Sequence, residues 1–124
     1  MARDFETSKP IYLQIADFIF QQIIREELKP GEKLPSVREM AVEMGVNPNT
    51  IQRTYSEMER MGVVETRRGQ GTFVVENSEI VTELKHTFQQ EVISSFVNKM
   101  RDLGFSNEEM VASLKIFLER GEDK

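Results

Sequence analysis

The stretch "GVNPNTIQRTYSEMERMG", residues 45–62, decides how this chain is read. Asn47 suits a helix N-cap, because its side-chain oxygen can accept from a free backbone N–H, and Pro48 suits the first helical position. Ile51, Tyr55, Met58 and Met61 follow at spacings of three and four, which predicts a helix with one buried face. Its leading turn is polar instead: Asn49, Thr50, Gln52 and Arg53 come before the apolar positions take hold. A helix that only filled a core would not need this arrangement.

Upstream, "LPSVREMAVEMG" (34–45) predicts a shorter helix. Ser36 and Glu39 form a capping box, Val37, Met40, Ala41 and Met44 make its apolar stripe, and Gly45 suits a left-handed C-terminal cap. Two helices joined through Gly45-Val46-Asn47 make a helix-turn-helix that leaves the leading end of the second helix prominent. Before it, in "SKPIYLQIADFIFQQIIREELKPGEKL" (8–34), Ser8 or Lys9 precedes Pro10. Ile11, Ile15, Phe18 or Ile19, and Ile23 then predict a helix of about five turns ended by Pro30-Gly31.

Downstream, "VVETRRGQGTFVV" (63–75) has strand composition on both sides of Gly69-Gln70-Gly71, predicting a β-hairpin placed as a wing. A glycine-rich phosphate cradle is the less favoured reading of these glycines, since no helix follows with the P-loop Lys-Ser/Thr pair. Beyond Asn77 the pattern changes to two amphipathic helices. The first carries Ile80, Leu84, Phe88, Val92, Phe96 and Met100 at four-residue intervals. The second begins with a Ser106/Glu109 capping box and carries Met110, Leu114, Phe117 and Leu118. Two helices of this size cannot enclose a core, so their stripes need either the first domain or a second copy of the chain.

The expected fold is therefore mainly α with a small β-hairpin: a winged helix-turn-helix over residues 8–76, followed by a two-helix dimerisation region over 77–124. Leu84, Phe88, Val92, Phe96, Met100, Leu114 and Phe117 are expected in the dimer interface or its supporting core.

Composition narrows the chemistry. The 124 residues contain no cysteine and a single histidine, His86, so thiolate catalysis, disulfides and Cys- or His-cluster metal sites are excluded by count. His86 sits in a polar helical stretch with no nucleophile nearby. The adjacent carboxylates Glu26-Glu27 and Glu108-Glu109 diverge on helices rather than converging on a substrate. No enzyme activity, metal or cofactor is expected. No apolar run reaches the roughly 20 residues of a membrane span. With no signal-peptide core in "MARDFETSKP", a cytoplasmic location is expected.

A helix end fits the major groove of B-DNA and presents its first residues to base edges. Asn and Gln suit adenine, Arg suits guanine or phosphate, and the positive end of the helix dipole favours phosphate. The segment "LPSVREMAVEMGVNPNTIQRTYSEMERMGVVETRRGQGTFV" (34–74), with the helix before it, resembles the N-terminal domain of the GntR family of bacterial transcription regulators. The two-helix tail looks like the YtrA subfamily, whose members typically dimerise and often sit in operons for ABC-type transporters.

The resemblance implies that Arg38 faces a base or the backbone, that Thr50 contacts phosphate, and that "RRGQGT" is a wing tip entering the minor groove. Pro48 and Gln52 stand where many members have arginine, which implies an altered sequence preference. The DNA-binding set implied is Ser36, Arg38, Asn47, Pro48, Asn49, Thr50, Gln52, Arg53, Arg67, Arg68, Gly69, Gln70, Gly71 and Thr72.

Charge is compatible with this. Residues 1–75 hold ten Lys/Arg against eleven Asp/Glu, and residues 76–124 hold six against ten, so the acidity lies mainly in the tail. The leading expectation is a homodimeric repressor on a (pseudo)palindromic operator. The alternative is a winged-helix module that docks another protein. A 49-residue tail in two helices is a poor container for a small-molecule effector, so none is expected within it, and a site between subunits stays open.

Overall fold

The computed structural model describes residue 5 and residues 8–121. Seven elements follow in order: α1 (Ile11–Ile24), α2 (Val37–Met44), α3 (Pro48–Arg60), β1 (Val64–Arg67), β2 (Gly71–Val74), α4 (Ser78–Asp102) and α5 (Asn107–Arg120). They fall into two compact units, one through Lys85 and one from His86 onward, so the division lies inside α4.

In the first unit α3 packs against both α1 and α2 and then leads into β1. Ile15, Ala16, Ile19, Phe20 and Ile23 of α1 meet Met40, Ala41 and Met44 of α2 and Ile51, Tyr55 and Met58 of α3 in one buried core, joined by Leu34, Val63, Val64 and Val74. Burial of these large side chains, worth roughly 1.5–3 kcal/mol each, is the main force holding the unit together. Two buried side-chain hydroxyls fix how the helices sit. The Thr54 hydroxyl, fully buried, lies 3.0 Å from the Tyr12 carbonyl of α1 and 2.9 Å from the Thr50 carbonyl. The Tyr55 hydroxyl donates to the Pro35 carbonyl just before α2 at 2.8 Å.

The first helix is shorter than its apolar pattern predicts. It ends at Ile24, six residues before Pro30, because Glu26 adopts φ +66°. There Glu26 N–H donates to Ile23 O and Glu27 N–H to Gln22 O, a Schellman closure built without glycine. Sequence cues did not reveal this stop, since glycine usually fills such a position and here a glutamate does.

The wing also differs from a free hairpin. The register pairs Val64 with Val74 and Arg67 with Gly71, leaving Arg68, Gly69 and Gln70 at the tip. Gln70 N–H closes the turn onto Arg67 O at 2.8 Å, with Gly69 at φ +75° where an L side chain is strained. A third extended piece, Gly31–Leu34, then lies along β2. Gly31 N–H donates to Val74 O, Val74 N–H to Glu32 O and Leu34 N–H to Thr72 O, at 2.8, 2.9 and 2.8 Å. The chain between α1 and α2, which reads as loop, thus braces the wing.

In the second unit α4 continues to Asp102 and turns at Gly104 (φ +91°) into α5, whose Ser106/Glu109 capping box forms as the sequence predicts. Met110 is buried, whereas Val92, Leu103, Val111, Leu114, Phe117 and Leu118 stay exposed. No helix among the described residues is long and apolar enough to cross a membrane.

Candidate nucleic-acid interface

The α2–α3 connection forms as its residues dictate. The Ser36 hydroxyl accepts from Glu39 N–H at 3.1 Å, and the Glu39 carboxylate accepts from Ser36 N–H at 2.9 Å, closing the capping box. Gly45 ends α2 at φ +71°. Two residues later the Asn47 side-chain oxygen accepts from Asn49 N–H at 2.7 Å, with Pro48 opening α3. This local chemistry aims the positive end of α3 outward.

Asn47, Pro48, Asn49, Gln52 and Arg53 are exposed and Thr50 is half-buried, while Ile51, Thr54 and Tyr55 point into the core. Ser36, the N-cap of α2, and Arg38 in its first turn are exposed. Arg38 lines a surface concavity of about 550 Å³ with Ala41, Val42, Gly45, Val46 and Pro48. The wing joins the same unit through α3: Glu59 accepts from the Thr66 N–H and hydroxyl at 3.4 and 3.2 Å. Arg68, Gly69 and Gln70 are exposed at its tip, and Gly71 and Thr72 are half-buried.

The cations are not equivalent. Arg38 and Arg68 have no hydrogen-bond or ion-pair partner among the described residues. Arg67 is tied down: its guanidinium lies 2.9 Å from the Glu65 carboxylate and 4.1 Å from the centroid of the Phe73 ring. Arg53 stacks 4.0 Å over the Tyr12 ring, which fixes the direction of its charge while leaving its edge exposed. Of the nearby acids, Glu57 is held by Arg60, whose hydrogen bond lowers its carboxyl pKa and raises that of the guanidinium.

Two contributors escaped the sequence reading. Tyr12 sits at the start of α1, and nothing in its spacing signals that it underlies Arg53, 41 residues away. Lys33 reads as loop, yet its side chain crosses the wing at Gly71.

A helix-turn-helix with an exposed polar helix tip and a cationic wing defines a winged helix-turn-helix DNA-binding protein. The chain belongs to the GntR family: the family model "Bacterial regulatory proteins, gntR family" matches residues 11–74. The chain is 62% identical over 121 residues to the uncharacterized HTH-type transcriptional regulator YhcF of Bacillus subtilis, covering 98% of this chain and all of that one. To the HTH-type transcriptional repressor YtrA of the same organism it is 41% identical over 95 residues, 76% of this chain and 73% of that one.

Among solved structures, a GntR family transcriptional regulator from Listeria monocytogenes matches with a TM-score of 0.85 at 37% identity, over 90% of this chain and 97% of that one. The DNA-binding domain of AraR in complex with operator ORX1 matches with a TM-score of 0.54 at 25% identity, over 60% of this chain and 93% of that one. This is a DNA-binding transcriptional regulator, and its likeness to YtrA assigns it to the YtrA subfamily.

The tail residues named from the sequence separate in the structure. Leu84 is buried at 7% exposure and is not available as an exposed contact. Phe88, Phe96 and Met100 are half-buried, and Val92, Leu114 and Phe117 are exposed. Val92, Ile93, Phe96, Val97, Met110, Val111 and Leu114, with Arg101 and Asn107, line an open groove of about 580 Å³.

Proposed function

We propose that the chain acts as a cytoplasmic homodimeric repressor that reads a two-half-site operator, each protomer presenting the leading turn of α3 to a major groove and its wing tip to the neighbouring minor groove. The observation that carries this reading is the exposed, N-capped tip of α3 bearing Asn47, Asn49, Gln52 and Arg53. Asn and Gln offer paired donor and acceptor atoms suited to adenine, while Arg38 and Arg68 are uncommitted and suit phosphate or guanine.

The exposed apolar residues on α5 and the end of α4 support dimerisation, because an unpartnered surface of that kind is unfavourable in water. The name of the YtrA relative supports repression. A near-neutral DNA-binding unit favours a weak single-site encounter strengthened by two sites on one duplex. Footprinting on the promoter of the chain's own operon tests the reading. Two protected half-sites with centres about 10 or 20 base pairs apart are expected. Protection of one unpaired site by a monomer would refute it.

A further inference from the structure

We propose that Lys33 holds a backbone phosphate beside the wing, adding to the DNA surface a contact that comes from neither the recognition helix nor the hairpin. The inference rests on the DNA-binding reading above. Lys33 lies in the Gly31–Leu34 piece paired with β2, where it bridges to Phe73. Side chains alternate along extended chain, and Leu34 next to it is buried at 2% exposure, so Lys33 is directed to the outer side.

Its stem runs over Gly71. Lys33 Cε and Nζ stand 2.7 and 3.5 Å from the point where a Cβ on that residue would sit. Gly71, at φ +123°, lies where an L side chain is strained, and the absence of a Cβ there leaves the room that the end of the lysine side chain occupies. Gly71 pairs with Arg67 at the last rung of the hairpin, so the ammonium is delivered next to the tip that carries Arg68.

Lys33 has no ion-pair partner among the described residues, although the chain contains 21 acidic residues. A methylene stem laid along the wing with an unpaired ammonium beside a groove-entering loop is suited to a phosphate. As a compact point charge it lacks the fork that reads guanine, so it adds affinity without sequence preference.

The test uses the full chain, a footprinted operator duplex and a scrambled duplex. Lys33→Met keeps the stem and removes the charge. It is expected to weaken binding to both duplexes by a similar factor and to reduce the slope of log affinity against log salt by about 0.9 per bound protomer. The melting temperature should be unchanged, and Lys33→Arg should restore the slope. Wild-type affinity and slope in Lys33→Met would overturn the proposal, and so would a loss of affinity with the slope intact, which would assign the stem a packing role only. Arg68→Gln measured in parallel separates the two levels. If it weakens binding while Lys33→Met does not, only the phosphate contact fails. If wild type itself binds neither duplex in a salt-dependent way, the DNA reading fails with it.

Discussion

The two adjacent wing arginines should behave differently, because only one is free. Arg67 is neutralised by Glu65 at 2.9 Å and stacked on Phe73, whereas Arg68 has no partner among the described residues. Each phosphate neutralised on B-DNA contributes about 0.9 to the salt slope. Between about 50 and 200 mM salt, one contact therefore changes affinity about 3.5-fold, and the pair supplied by a dimer about 12-fold. Arg68→Gln should lose that increment, its salt slope flattening by about 1.8 relative to wild type. Glu65→Gln combined with Arg67→Gln removes a neutral pair and should leave the slope close to wild type. Fluorescence anisotropy on a labelled operator, titrated at four salt concentrations, measures both. An unchanged slope in Arg68→Gln, or an equal flattening in the double variant, would refute the assignment of the free charge to Arg68.

The remaining predictions concern the scaffold. Thr54→Val removes a buried hydroxyl bonded to the Tyr12 and Thr50 carbonyls and should cost about 1 kcal/mol, read as a melting temperature lower by a few degrees. Burial, followed by the fields of Glu43 and Glu39, pushes the Tyr55 hydroxyl pKa well up. The folded chain keeps that proton where the unfolded one, with a tyrosine pKa near 10, loses it. The contribution is thus complete below about pH 10 and declines as pH rises beyond it, so urea unfolding of wild type should weaken more steeply there than that of Tyr55→Phe. Leu114→Asp or Phe117→Asp, at positions 44% and 54% exposed, should halve the mass seen by light scattering with helicity retained. Operator affinity should then fall by about a hundredfold through lost avidity. An unchanged dimer mass would remove α5 from the interface.

Much of the site was legible because it is built from local chemistry. The capping box at Ser36/Glu39, the glycine stop at Gly45 and the Asn47-Pro48 start each satisfy backbone groups within a few residues. Together they set the helix-turn-helix and its exposed tip before any tertiary contact forms. The same locality made the hairpin and the α5 capping box readable.

Other features were settled between segments far apart in sequence. The early stop of α1 is an exception of the opposite kind, local yet unsignalled, because Glu26 takes the left-handed conformation that glycine usually marks. The pairing of Gly31–Leu34 with β2 turned an apparent loop into the brace of the wing and brought Lys33 to Gly71. Which arginines are free, which are spent on Glu65, Phe73 or Tyr12, and which tail residues are covered all depend on side chains meeting across the fold. By itself the sequence determined where helices begin, where they turn and which end is polar, because capping and periodicity act over a few residues. Only the tertiary structure decided where the charges are free to act, because a charge's availability depends on neighbours that spacing along the chain does not specify.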